Sequence, residues 1–313
     1  MSPEFLQPFD HSIFSRLGVE VAFLRLDLID PLISGNKWFK LQPLLDRRNP
    51  KQPILSFGGA YSNHLHALAR FGQQHGIKTY GVVRGEPRQT ATLEDAQNWG
   101  MRLHFVGRQS YRDLRGDAAV ADHSASILSE LHRLYGDFYT LPEGGATKEA
   151  LSGCSKIWSL LPTGYRPDRV LVSVGTGTTL AGLVLGAPEK CRVEGVAAIG
   201  EASYLVKAIE HQLIGRKLSP DVSWSLDAGV ALRFAKLNSE LSGLWHRVAL
   251  LGIELDPVYT LRMLHYFLRK LHSDQYVRGE KLLLVHTGGL QGLRGQQQRL
   301  SHLASAHCGP MPL

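Results

Sequence analysis

Short apolar runs alternate with longer segments of helical spacing along most of this chain. Residues 19–29 alternate apolar and polar positions as a strand does, and Asp30-Pro31 ends them. Further strands are predicted at 54–57, 78–83, 102–106, 138–141, 169–174, 193–199, 253–255 and 281–286. Between them the spacing predicts helices over 64–75, 90–99, 118–135, 147–161, 180–185, 204–214, 232–250, 259–271 and 291–304. Gly76, Gly100, Gly136 and Gly252 stand where helices stop. The run 169–174 is nearly all apolar, as expected of a strand buried on both faces. Strands alternating with helices imply an α/β protein of parallel sheets, covered on both faces by right-handed crossovers.

Proline-rich polar stretches at 49–53 and 162–168 punctuate this rhythm and read as crossings between lobes. They predict a large domain of residues 1–48 and 162–313 and a small domain of 49–161. A length of 313 residues and 43% hydrophobic composition provide for two such cores. Order is expected throughout except at the ends, 1–8 and 308–313, which carry Pro, Gly and Ser.

The net charge of +7 is scattered, with no run of five Lys or Arg, so it does not read as a nucleic-acid footprint. It is compatible with anionic small ligands. The three cysteines, Cys154, Cys191 and Cys308, are far apart and odd in number, giving neither a disulfide framework nor a zinc spacing. A reducing, cytoplasmic setting is expected. No signal-peptide pattern is visible, and no run approaches the roughly 20 apolar residues that span a bilayer. The fourteen histidines lack ligand spacing, and His64 and His66 would lie on different faces of a helix. No metal is called for.

The chemistry centres on Ser34-Gly35-Asn36-Lys37-Trp38-Phe39-Lys40-Leu41, which sets a lysine behind a turn and ahead of an apolar helical pattern. A lysine whose stem lies on apolar neighbours loses its proton more readily than a free one, and a neutral amine forms a Schiff base with an aldehyde. Taken alone, Lys37 reads better as a solvated helix-start lysine, by roughly ten to one.

Three glycine-rich turns change that balance. Val174-Gly175-Thr176-Gly177-Thr178-Thr179 joins a buried strand to a helix, where free N–H groups and hydroxyls face an anion. A phosphate is the expected guest. The loop lacks the lysine of a P-loop, and Leu180 stands where a dinucleotide fingerprint needs its third Gly or Ala. Glu194 begins the next strand where that fingerprint wants an acid at its end. Gly58-Gly59-Ala60-Tyr61-Ser62-Asn63-His64 is the second turn, and simple N-capping by Ser62 or Asn63 would also explain it. His286-Thr287-Gly288-Gly289 is the third. Turns of this kind at C-terminal strand ends converge on one crevice.

These motifs, with Asp256-Pro257-Val258-Tyr259-Thr260, occur in an order and at separations that resemble the 1-aminocyclopropane-1-carboxylate deaminase / D-cysteine desulfhydrase family. These are pyridoxal 5'-phosphate enzymes of fold type II, the tryptophan-synthase-β-like fold, with two-lobed three-layer domains. The resemblance spans nearly the whole chain. It implies that Lys37 holds the cofactor covalently, that Asn63 bonds its ring hydroxyl, and that Gly175, Thr176, Gly177, Thr178 and Thr179 hold its phosphate. Thr260 or Thr287 would face the ring nitrogen. Ser62, Asn63, His64, Phe234 and Tyr259 would face a small amino-acid substrate, with Lys37, Ser62 and Tyr259 catalytic. Homodimers are common in this fold type.

Ring-opening members carry Glu and Leu where this chain has Thr260 and Thr287. Uncharged threonines imply a weaker electron sink, which suits β-elimination of D-cysteine to pyruvate, ammonia and sulfide. Three positions depart from the family pattern: Phe39 for Arg, Leu261-Arg262 for Gly-Lys, and Phe234 for an active-site Tyr. Open beside this reading stand a ring-opening deaminase, another amino-acid lyase or racemase, a non-catalytic binding protein of the same fold and, more distantly, a nucleotide-binding oxidoreductase.

Overall fold

The computed structural model describes residues 3–47, 49–114, 121–198, 202–228, 237–271, 276–297 and 300. The chain divides into two compact units, Met1–Phe39 with Leu151–Leu313, and Lys40–Ala150. Both divisions fall inside helices, Asn36–Leu41 and Lys148–Ser155, ahead of the proline-rich stretches taken as crossings from the sequence. Residues 40–46 carry the buried Leu41 and Leu44, so they behave as core and not as linker.

Among the described residues the strands are β1 (Leu6–Pro8), β2 (Glu20–Arg25), β3 (Ile54–Gly59), β4 (Thr79–Arg84), β5 (Arg102–Val106), β6 (Tyr139–Leu141), β7 (Arg169–Val174), β8 (Arg192–Ala197), β9 (Ser223–Asp227) and β10 (Lys281–His286). The first unit orders its sheet β1-β2-β10-β7-β8-β9, parallel except for β1, which runs antiparallel to β2. Side-chain alternation assigns the two faces. Val21, Phe23, Leu282 and Leu284 pack with Leu264 and Phe267 of helix Thr260–Leu271. Ala22, Leu24, Leu283, Val285, Val170 and Val172 pack with Leu180 and Val184 of helix Thr178–Gly186. The result is the three-layer α/β arrangement expected from the near-continuous apolar strands.

The second unit orders four parallel strands β5-β4-β3-β6. Leu55, Phe57, Tyr80 and Val82 pack against Tyr111, Leu131 and Phe138. Helix Asn63–His75 begins at Ser62 and ends at left-handed Gly76, burying Leu65, Leu68, Ala69 and Gly72.

Several elements differ from the expectation. The stretch 3–8, expected to be disordered, forms a 3-10 turn Pro3–Phe5 and the edge strand β1. At three residues with one neighbour, β1 has no periodicity to read. Edge strand β9, Ser-Trp-Ser-Leu-Asp, is not among the expected strands; it is only partly buried and has just two apolar residues to mark it. Helix Arg108–Leu114 was likewise unread. Residues 253–255 form no strand: Ile253 donates back to Val248 and closes the preceding helix, while the Glu254 carbonyl bonds His286. The helix expected over 232–250 begins at Ser239, because Asn238 is extended and its Oδ1 caps Leu241 N at 2.9 Å. The described last segment is a 3-10 helix, Leu290–Gly295. The expected continuations at 118–120, 232–236 and 301–304, with Phe234, lie outside the described residues.

Candidate active site

In the first unit, three chain segments meet at the C-terminal ends of β7 and β10. Register pairs Val285 with Val172, so Thr287 comes level with Val174, where the glycine-threonine loop begins. Ser173 Oγ lies 3.2 Å from Thr287 Oγ1, which lies 3.5 Å from Thr260 Oγ1. All three residues are buried, so the group is a row of uncharged hydroxyls.

The lysine turn is locked onto this edge. Gly35 has φ +71, and a Cβ there would run into the Thr287 carbonyl and lie 2.7 Å from Gly288 Cα. Gly288 has φ +78, and its Cβ would come within 2.6 Å of Ser34 Oγ. Backbone meets backbone here, and L side chains are excluded on both sides. The Asn36 N–H donates to Thr287 O at 3.2 Å. The Lys37 amine, on the half-buried first turn of helix Asn36–Leu41, donates to Asn36 Oδ1 at 3.1 Å. Asn36 Nδ2 donates to Thr179 Oγ1 at 2.7 Å.

The glycine-threonine loop leads into helix Thr178–Gly186, whose N-terminal N–H groups have no side-chain cap. Gly177 there is left-handed. Thr178 Oγ1 is buried with no hydrogen-bond partner, an expensive arrangement that a bound acceptor relieves. Free N–H groups, a helix dipole and an orphaned hydroxyl together fit a phosphate. Tyr259 stands over the same loop, its Cε1 3.3 Å from where a Gly175 Cβ would be.

Tyr259 and Thr260 are held by Asp256. Its Oδ1 accepts from Val258 N at 3.0 Å and Tyr259 N at 2.7 Å, and Oδ2 accepts from Thr260 N at 2.9 Å. Burial holds the Asp256 carboxyl above the ordinary carboxylate range, although these N–H groups and His286 pull the other way. Burial also lowers the Arg262 guanidinium, opposed by the charge of Asp256. His286 donates from Nε2 to Glu254 O at 2.6 Å and accepts Gly288 N at Nδ1 at 3.1 Å. These two bonds, with the Asp27 carboxylate 3.5 Å from Nδ1, pin the start of the third turn.

Glu194, weighed above as a ribose ligand, is bonded to buried Arg169, which also donates to Glu280 Oε1 at 2.7 Å. It lies near the start of β8 and faces no ligand edge.

Ser62, Asn63 and His64 belong to the second unit, at the C-terminal end of β3. Ser62 Oγ accepts from Leu65 N at 3.2 Å, which leaves its proton for another acceptor. Asn63 is the first residue of the helix. His64 is buried and bonds Ser56 Oγ at 2.8 Å, while Ser56 donates to Leu141 O at 2.8 Å. Asn36, Ser173 and Asp256 carry much of the first unit's site geometry and were not singled out as site residues from the sequence. Asn36 and Thr179 are 143 positions apart, and no local pattern joins them.

No family model matches the chain. It is 28% identical over 297 residues to a Pyrococcus horikoshii protein provisionally named 1-aminocyclopropane-1-carboxylate deaminase, covering 90% of this chain and 88% of that one. It is 24% identical to the Arabidopsis thaliana bifunctional D-cysteine desulfhydrase/1-aminocyclopropane-1-carboxylate deaminase, covering 91% and 76%. The chain is similar to these proteins along most of its length. Among solved structures, an ACC deaminase homologue superposes with a TM-score of 0.75 at 24% identity, covering 95% of this chain and 93% of that one. A pyridoxal 5'-phosphate-dependent aspartate racemase superposes at 0.63 with 15% identity, covering 91% and 90%. The fold of this chain is therefore the fold type II expected from the resemblance. Among the described residues no helix is long and apolar enough to cross a membrane.

Proposed function

We propose that this chain is a pyridoxal-phosphate-dependent lyase that eliminates sulfide from D-cysteine, giving pyruvate and ammonia. The observation that carries the reading is the bond path from the Lys37 amine through Asn36 to Thr179 of the phosphate-fitting loop. An aldehyde cofactor with a phosphate needs an amine and an anion cradle at a fixed separation, and the first unit supplies both.

When bound, the cofactor withdraws electron density from the substrate Cα. Lys37 would carry it, with Thr176, Gly177, Thr178 and Thr179 on its phosphate. The Lys37 amine would accept the Cα proton. The thiolate then leaves from Cβ, and water completes the conversion to pyruvate and ammonia. Tyr259 lines the substrate side. The resemblance gives Ser62, whose hydroxyl proton is not used in its bond with Leu65 N, to the substrate carboxylate, and Asn63 would bond the ring hydroxyl. Thr260 and Thr287 would face the cofactor's ring nitrogen without a charge, which supports elimination, since the leaving thiolate drains the carbanion.

The names of the relatives favour a second substrate, 1-aminocyclopropane-1-carboxylate. The uncharged row of Ser173, Thr287 and Thr260 ranks it behind D-cysteine. Assembly as a homodimer and a cytoplasmic setting belong to the same proposal. Absorbance of the purified protein tests it. A yellow band that changes on adding D-cysteine, with sulfide and pyruvate released, is the expected result. A yellow band that ignores D-cysteine moves the assignment to another amino acid. A colourless protein that pyridoxal phosphate does not reconstitute overturns it.

A further inference from the structure

Asn36 enters the sequence motif as a spacer between Gly35 and Lys37, but its side chain faces two groups of opposite demand. A lysine amine donates, so the atom 3.1 Å from Lys37 Nζ is the carboxamide oxygen. The amide nitrogen then faces Thr179 Oγ1, at 2.7 Å. Thr179 accepts that bond, which leaves its single hydroxyl proton to donate onward. Every proton in the path therefore points from Lys37 through Asn36 to Thr179 and on toward the loop. The main chain of Asn36 is fixed independently by Thr287 O, so the carboxamide is aimed and not merely accommodated.

We infer that Asn36 is a positioning residue that ties the Lys37 amine to the anion loop, so that a phosphate held by Thr179 and the aim of Lys37 are energetically coupled. This rests on the cofactor reading above. A purely structural Asn36 would lower stability and slow every reaction of Lys37 alike. Coupling instead affects the advantage of an aldehyde that carries a phosphate over one that does not.

The test compares pyridoxal 5'-phosphate with pyridoxal, the same aldehyde without the phosphate, on the full-length protein. Borohydride trapping and peptide mass spectrometry give the labelling rate of Lys37 with each, and thermal unfolding is followed in parallel. In the natural protein the phosphate-bearing aldehyde should label Lys37 at least about tenfold faster, the factor expected for a charge-assisted hydrogen bond. Asn36→Ala should lower that ratio severalfold. Asn36→Asp keeps an acceptor for Lys37 but loses the donor to Thr179, so it should lower the ratio too, and it is isosteric should the alanine variant not fold. Thr179→Val should lower the ratio, and adding Asn36→Ala to it should lower it no further, although the other loop donors keep it above one. A full ratio in Asn36→Asp, or additive losses with Thr179→Val, would overturn the inference. A natural protein whose Lys37 is never labelled by pyridoxal phosphate overturns the cofactor reading itself, and the inference falls with it.

Discussion

Gly35 and Thr287 are so close that no side chain fits between them: the carbonyl of Thr287 occupies the space that a Gly35 Cβ would need. This approach sets the register between the turn that carries Lys37 and the end of β10. It explains in physical terms why a glycine must precede Asn36-Lys37, since φ there is +71.

Gly35→Ala should accordingly destabilise the protein. The left-handed backbone alone costs an L residue about 1–2 kcal/mol, and the clash with Thr287 adds to it. Gly288→Ala meets Ser34 and Gly35 from the opposite side. The two act on one contact, so their combined effect in urea unfolding should be clearly smaller than the sum of the single effects. Additive losses would show that the approach is not a shared constraint.

The opposite end of the same sheet is held by charge. Arg169 is buried between Glu194 and Glu280, with its guanidinium 4.8 Å from the centroid of the Tyr276 ring. Arg169→Met strands the carboxylates of buried Glu194 and partly buried Glu280, for which about 3–5 kcal/mol of destabilisation is expected. Arg169→Met with Glu194→Gln should recover part of it. Because these residues lie at the N-terminal ends of β7 and β8, the activity of the molecules that remain folded should be unchanged. A pronounced loss of turnover per folded molecule would contradict a purely structural role.

Legibility in the sequence followed how local each signal was. β7 and β10 were readable because parallel strands buried on both faces are nearly continuous in apolar residues. β1 was not, because three residues leave no pattern, and β9 was not, because its polar-apolar alternation rests on only Trp224 and Leu226. Lys37 and the three glycine turns stood out because special backbone geometry requires glycine. The ties that make them a site escaped notice. Asn36 to Thr179 and Ser173 to Thr287 join polar residues that each look like ordinary turn or strand-end positions. Asp256 was visible within its motif, but its grip on three successive N–H groups required coordinates.

Alkaline pH should unfold the protein progressively. Burial pushes the Cys191 thiol from 9.0 up to about 12, and the charge of Asp168 adds to this. Burial likewise pushes the Tyr165 phenol from 10.0 to about 12, helped by Glu20 and Asp168. Both values are raised, so the stability they contribute is complete below the unfolded-state values and is lost as pH rises toward the folded-state values. Denaturant midpoints should therefore decline from about pH 9 upward, and Tyr165→Phe should flatten the decline above about pH 10. At pH 8 Cys191 should resist iodoacetamide in the native protein and react once it is unfolded. A midpoint independent of pH up to 11 would mean that neither group is buried as described.

Thr178 offers the sharpest separation of function from stability. Its hydroxyl is buried without a partner, and such a group destabilises a fold by about 1–3 kcal/mol. Thr178→Val keeps the shape and removes the hydroxyl. The cofactor-free protein should then be as stable as the natural one, or more so, by up to about 1–2 kcal/mol in thermal or urea unfolding. Affinity for pyridoxal phosphate, followed by the absorbance of the reconstituted protein, should fall by about tenfold, because one donor to the phosphate is gone. The two quantities move in opposite directions only if the hydroxyl is kept for a ligand. If Thr178→Val lowers stability and leaves affinity intact, Thr178 is a structural residue, and the phosphate is held by the loop's backbone N–H groups with Thr176 and Thr179.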